Sequence, residues 1–178
     1  MSALDDVRDA IPEPAKDLKL NLQAVLAADG ALSPAQRWGT AVAAAIASRN
    51  PRLRAAVLAE ARAQVDGAVV DDAIAAAALM GMNNVYYRFR HLIGRASYTD
   101  KPARLRMNRI AKPAASKVDF ELYCLAVSAI NGCATCLQAH ETVVLNGGLT
   151  EEHVHDAVRL ASVVHGAAVA LDLTEPTP

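Results

Sequence analysis

Start and stop signals cut this chain into helix-length pieces, and that punctuation limits its fold more than any other feature. Ser33-Pro34-Ala35-Gln36 combines a capping box with proline at the first helical position, which predicts a helix running to about Ser48. Asn50-Pro51 breaks it, because the residue before a proline avoids the helical region and asparagine tolerates turns. A third helix, about Arg52 to Val65, is expected to stop near Asp66-Gly67. A fourth opens near Asp71-Asp72, acids that suit the positive end of a helix dipole, and continues through Met80-Gly81-Met82-Asn83-Asn84 to about Arg90. Ser116-Lys117-Val118-Asp119 reads as a second capping box, starting a helix that ends near Ile130. Asn131-Gly132 separates it from a helix carrying Cys133, Cys136 and His140, which Asn146-Gly147-Gly148 ends. Thr150 then caps a last apolar helix that begins with Glu151-Glu152 and ends near Leu171. Upstream, the spacing of Leu18, Leu20, Leu22, Val25 and Leu26 predicts a leading helix within residues 12–28, closed by Ala28-Asp29-Gly30. Residues 94–115, with Gly94, Pro102, Pro113 and a basic bias, read as a connector with one short helix, and Thr174 to Pro178 as a fraying tail.

Composition decides what these pieces build. Apolar residues make up 53% of the chain, much of it alanine, and aromatic residues only 4%. Alanine favours helices that pack closely, and runs of strand-forming residues are lacking, so the fold class is all-α. The 178 residues suit a single domain spanning 1–178, with an N-terminal half of about 12–93, a connector of about 94–115 and a second half of about 116–172. A shift of 81 positions sets Asn50 on Asn131, Glu60 on Glu141, Gly67 on Gly148 and Leu79 on Leu160, with the chain breaks coinciding. Two helical halves of related layout are expected, only the second carrying cysteines at the motif positions.

Several function classes fall away. A net charge of −1 leaves no electrostatic footprint for nucleic acid or an acidic membrane surface. Apolar runs such as Ala73 to Met82 fall short of the roughly 20 residues that span a bilayer, so no membrane span is expected. The start, Met-Ser-Ala-Leu-Asp-Asp, lacks the basic and apolar regions of a secretory signal, which points to the cytoplasm. Three cysteines make no disulfide framework; in a reducing compartment a Cys-x-x-Cys pair is redox-active or metal-binding.

Cys133, Cys136 and His140 lie three, four and seven apart, so a helix presents them on one face. Thiols react as thiolates, and an unperturbed cysteine has a pKa of about 8.5, so something must lower it. Cys133 is expected in the first helical turn, where the dipole favours an anion, and Cys136 has His140 one turn on as base or imidazolium partner. Dipole reasoning alone selects Cys133 as the nucleophile. The two-residue spacer also lets the pair close into a disulfide, as thiol exchange requires. Glu121 lies on the preceding helix and, if the two helices fold back, can orient His140; taken alone it reads as an ordinary surface residue. A zinc module using Cys133, Cys136 and His140 is the competing reading, and it lacks an obvious fourth ligand.

The ordered set Glu121, Cys133, Cys136 and His140 resembles the Glu-x11-Cys-x-x-Cys-x3-His motif of the AhpD alkyl hydroperoxide reductases, within the carboxymuconolactone decarboxylase-like superfamily. Pro14-Ala15-Lys16-Asp17, Met80-Gly81-Met82-Asn83-Asn84-Val85, Arg106-Met107-Asn108 and Ala126-Val127-Ser128-Ala129-Ile130-Asn131-Gly132 resemble segments of the same family, so the likeness covers nearly the whole chain. The resemblance implies an all-α fold with an internal repeat, assembled as a homotrimer, with no metal and no bound cofactor. It implies electron transfer from dihydrolipoamide on a 2-oxoacid dehydrogenase acyltransferase to the peroxiredoxin AhpC, with weak hydroperoxide reductase activity of its own. Position by position, Cys136 is the attacking thiol that forms a sulfenic acid or an interchain disulfide with AhpC. Cys133 is the proton donor and second thiol closing the redox disulfide, and Glu121 and His140 form the proton relay. Some relatives carry a histidine where this chain has Thr135, a residue that hydrogen-bonds but takes up no charge. A decarboxylase-like member working without thiols is the third reading.

The remaining candidates have simpler readings. Cys124, between Tyr123 and Leu125, reads as core packing. His153, His155 and His91 read as solvated, and His165 as a core or interface histidine. Asn83 and Asn84 are unusual in an apolar helix, and at least one needs a partner if buried.

Overall fold

The computed structural model describes residues 2–27 and 29–173, and every regular element among them is helical. Ala28 and Thr174 to Pro178, where a helix end and a fraying tail were expected, lie outside the described residues.

The chain opens with a helix that the spacing rules passed over. α1 (Ala3–Ala10) is closed by a reciprocal box: Ser2 Oγ accepts from the Asp5 N–H at 3.2 Å, and the Asp5 carboxylate accepts from the Ser2 N–H at 2.8 Å. It buries Leu4 and Val7, followed by Ile11. The expected leading helix is shorter than residues 12–28. A 3-10 turn (Glu13–Ala15) precedes α2 (Asp17–Leu26), which buries only Leu22 fully.

α3 (Pro34–Ala47) is the central helix, with an unbroken buried run from Gln36 to Ala45. Its box forms as expected between Ser33 and Gln36. Small residues let α4, α5, α8 and α10 all pack against it. At Gly39 a Cβ would overlap the Tyr123 ring of α8, and the Tyr123 hydroxyl donates to the Ala35 carbonyl at 2.9 Å. Glycine is required there by close approach rather than by backbone angle.

α4 (Pro51–Gln64) is capped by Asn50, whose Oδ1 accepts from the Leu53 N–H at 2.8 Å while its Nδ2 donates to Asp172 at 2.7 Å, tying this corner to the end of α10. α5 (Gly67–Ile93) starts earlier than expected because Asp66, not Asp71, is the cap: its Oδ1 accepts from the Ala68 N–H at 2.8 Å. Asp72 therefore sits inside the helix, 1% exposed, and serves no dipole. Its carboxylate accepts from Arg109 Nη2 at 2.7 Å and from the N–H groups of Ala114 and Ala115 at 2.8 and 2.7 Å. A buried charge so paired is satisfied, and it pins the connector to α5. The connector holds two short helices rather than one, α6 (Ala96–Thr99) and α7 (Asn108–Ala111).

α8 (Lys117–Ile130) is capped by Ser116, but the expected second box does not close: the Asp119 carboxylate accepts instead from Gln36 Nε2 of α3 at 2.8 Å. α9 (Ala134–Asn146) and α10 (Glu151–Asp172) follow, the latter capped by Thr150 with His153, whose Nδ1 accepts from the Thr150 N–H at 3.3 Å. Although no stretch was expected to approach the length of a membrane span, α10 meets it by length and apolarity, alone among the described residues. Its apolar stripe, including Leu160, Val164 and Leu171, is buried, and the helix packs on α2, α3 and α8. Moved by 81 positions, the bounds of α3, α4 and α5 fall within three residues of those of α8, α9 and α10.

Candidate active site

α8 turns back into α9 through Asn131-Gly132-Cys133, and polar contacts hold the turn from both sides. Gly132 has φ +64°, a left-handed conformation that suits glycine. The Asn131 carbonyl accepts from the Arg88 guanidinium, and Asn131 Nδ2 donates to Asn84 Oδ1 at 2.9 Å. Asn84 Nδ2 donates to Ser128 Oγ at 2.9 Å, and the Cys133 N–H to the Ser128 carbonyl at 3.1 Å. Asn84 thus finds its partners on α8 and in the turn.

Cys133 and Cys136 are joined in a disulfide with Cα atoms 5.3 Å apart. Cys133 does not stand in the first turn as expected. It is the cap residue, whose carbonyl accepts the first intrahelical bond from the Leu137 N–H at 2.9 Å, and Cys136 is the third residue of α9. The first-turn N–H groups have no intrahelical partner, so the dipole favours an anion at the cap, Cys133, and at Cys136 within the turn, and by itself it does not choose between them. Accessibility separates the two: Cys133 has no exposed surface, whereas Cys136 is 8% exposed and lines a cavity of about 200 Å³.

His140 stands one turn beyond Cys136 on the same cavity wall. Its Nδ1 is 2.6 Å from Glu121 Oε2, and its Nε2 is 3.3 Å from Met80 Sδ. Glu121 is 5% exposed, so the surface reading of that residue alone is overturned: a buried carboxylate needs a partner, and α9 supplies the imidazole. Ala139, Met80 and Tyr87 make the cavity largely apolar, with Asn83 and Thr135 at its polar points. Thr135 Oγ1 lies 3.7 Å from Cys133 Sγ. Asn83 Oδ1 is buried with no hydrogen-bond partner.

Cys124 is fully buried on α8, where burial and then the Glu121 charge push its thiol well above the usual range, so it stays protonated and inert. His165 is exposed on this chain, contrary to the core half of its reading, and its Nδ1 is 3.2 Å from Ser48 Oγ. Among the described residues no three His, Cys, Asp or Glu side chains gather as metal ligands. In the motif, the two sulfurs are bonded to each other and His140 faces Glu121 and Met80.

Sequence reasoning missed Met80 and Tyr87 as site residues. Both lie on α5, far from the motif along the chain; the one pointer was the pair of amides beside them in an apolar helix.

A model of the carboxymuconolactone decarboxylase family matches residues 96–177. The alkyl hydroperoxide reductase AhpD of Anaeromyxobacter dehalogenans strain 2CP-C is 69% identical over 173 residues, covering 97% of this chain and 92% of the relative. The protein of the same name from Brucella suis is 51% identical over 173 residues, covering 97% and 98%. With the helical fold, the paired cysteines and this near full-length identity together, the chain belongs to the alkyl hydroperoxide reductase AhpD family.

Proposed function

We propose that this chain is an antioxidant thiol-disulfide oxidoreductase that passes electrons from dihydrolipoamide, carried on a 2-oxoacid dehydrogenase acyltransferase, to the peroxiredoxin AhpC, and that it reduces alkyl hydroperoxides weakly itself. The observation that carries the reading is the Cys133–Cys136 disulfide at an apolar cavity, with His140 one turn from Cys136 and Glu121 at 2.6 Å behind it.

In the reduced protein Cys136 is the attacking sulfur. His140, oriented through Nδ1 by Glu121, takes its proton, and the first-turn amides of α9 favour the thiolate. The thiolate attacks the terminal oxygen of a hydroperoxide; the O–O bond breaks, the alcohol leaves with a proton, and Cys136 becomes a sulfenic acid. Cys133 then attacks Cys136, releasing water and closing the disulfide. With oxidised AhpC the same thiolate forms an interchain disulfide, which Cys133 resolves. The dithiol donor reopens the pair, so the cycle needs no bound cofactor.

The same reading has the chain acting as a homotrimer in the cytoplasm, one domain built from two related helical halves. Exposed apolar residues at the end of α5, Val85 at 60% and Leu92 at 74% among them, support an intersubunit surface there. Combining the protein with dihydrolipoamide, the matching AhpC and an alkyl hydroperoxide tests the function: peroxide is consumed, and Cys136→Ser abolishes it. Full activity in Cys136→Ser overturns the reading.

A further inference from the structure

Met80 is 1% exposed on α5, and its sulfur takes two nitrogen contacts: His140 Nε2 at 3.3 Å and Asn84 Nδ2 at 3.6 Å. A thioether offers lone pairs and no proton, so in each contact the nitrogen is the donor. On the other side of the ring, His140 Nδ1 meets Glu121 Oε2 at 2.6 Å, a carboxylate that also only accepts when ionised. Both ring nitrogens face acceptors, and the ring form that satisfies both is the doubly protonated imidazolium. Around the ring, α8 brings Glu121 with Cys124 on the same helix, α5 brings Tyr87 at the cavity wall and Arg88 over Asn131, and α9 brings the cysteine pair.

We propose that Met80 is a positioning residue for His140: in the disulfide form its sulfur accepts the Nε2–H of the imidazolium and holds that proton in the cavity shared with Cys136, for transfer to sulfur when the disulfide opens. The inference rests on the roles given above to Cys136 and His140. A neutral thioether suits the task because it is a weak acceptor, strong enough to orient an N–H and weak enough to lose it to a thiolate. The same sulfur receives Asn84, which holds the cysteine turn through Ser128 and Asn131, so the relay and the turn are registered on one atom.

The reductive half-reaction then runs as follows. One thiolate of the dithiol attacks Cys136 Sγ; the S–S bond breaks, and its electron pair leaves with Cys133, which takes one proton of the dithiol. The second thiol displaces Cys136 and closes the donor's own disulfide. The pair left on Cys136 Sγ takes the Nε2 proton, and the donor's second proton goes to solvent, which leaves His140 neutral and able to act as the base in the oxidative half. Two electrons have passed from the dithiol to the cysteine pair, with one proton from the dithiol and one from His140.

Nitrogen-15 NMR of the histidine-labelled, oxidised protein at neutral pH tests the placement, together with its rate of reduction by dithiothreitol. In the wild type Nε2 carries a proton; a pyridine-like, unprotonated Nε2 overturns the proposal even if no variant folds. Met80→Leu, close to methionine in volume, is expected to lose the ordered Nε2–H signal and to slow reduction about tenfold, a fraction of a full general-acid contribution. Met80→Gln supplies a side-chain oxygen as acceptor and should restore the signal and bring the rate within about twofold of wild type. Equal slowing in both variants with an unchanged Nε2 signal means that Met80 only packs, and overturns it. The NMR experiment uses no peroxide and no AhpC. A wild type that keeps Nε2–H but consumes no peroxide with AhpC therefore refutes the proposed function and leaves the Met80 placement standing.

Discussion

Glu121→Gln is the most informative single perturbation of the relay. The carboxylate is 5% exposed and meets His140 Nδ1 at 2.6 Å, so the contact is short, shielded and charge-assisted when the ring is protonated. Glutamine has the same shape and keeps an oxygen for Nδ1–H, but it removes the negative charge. A hydrogen bond to a charged group contributes about 1.5–3 kcal/mol and a neutral one about 1, so the substitution forfeits about 0.5–2 kcal/mol, centrally a little over 1, of preference for the imidazolium. At about 1.4 kcal/mol per factor of ten, that is about a tenfold loss in the step where His140 takes the Cys136 proton. Glu121→Ala also removes the acceptor and leaves a buried gap, and should cost more. The assay is single-turnover oxidation of reduced protein by an alkyl hydroperoxide, followed by the loss of free thiols, with thermal melts to confirm that Glu121→Gln stays folded. A Glu121→Gln rate within twofold of wild type, or Glu121→Ala faster than Glu121→Gln, refutes the relay.

Other expectations concern the frame that holds the site. Gly39→Ala drives a Cβ into the Tyr123 ring and should cost about 2–3 kcal/mol in urea unfolding, partly recovered by a smaller residue at position 123. Asp72→Ala leaves Arg109 and two backbone amides without their carboxylate; a loss of about 3 kcal/mol and faster proteolytic cutting within residues 94–115 are expected, and an unchanged cutting rate would show that the connector is held otherwise. Cys124 and Tyr123 both titrate above their ordinary values because they are buried. The unfolded chain therefore releases these protons first, and stability, full below about pH 8, should fall as pH rises past 9, with Cys124→Ala delaying the onset. In reduced protein near pH 8, iodoacetamide should label Cys136 well before Cys124.

What the chain reveals by reading follows the distance over which each contact acts. Ser33 and Gln36 close their box within one turn, and that box is legible in full. Ser116 and Asp119 carry the same spacing, yet the Asp119 carboxylate leaves for Gln36, 83 residues away, a competition no local rule contains. Asp72 looked like a dipole acid because acids near a helix start usually are; the connector that buries it arrives from residues 109–115. The motif itself was readable because Glu121, Cys133, Cys136 and His140 lie on consecutive helices joined by a short turn. Met80 approaches His140 from 60 positions away on α5, and a methionine in an alanine-rich helix resembles any other core residue. The start of α9 lies one position beyond Cys133, which makes that residue the cap and Cys136 a first-turn residue, so dipole reasoning, which alone selected Cys133, does not separate the two cysteines and burial does.

The 5.3 Å between the two cysteine Cα atoms is close to the roughly 5 Å that an α-helix already places between residues three apart. Making or breaking the S–S bond thus asks for a turn of two side chains and almost no backbone travel. Under the proposed electron-transfer role, a donor and an acceptor are expected to meet nearly the same backbone in either oxidation state, so neither is recruited or dismissed by a large change of shape. The direction of flow in that cycle would be set by which sulfur bears charge and which partner arrives with the matching potential, and the protein would act as a conductor rather than a gate.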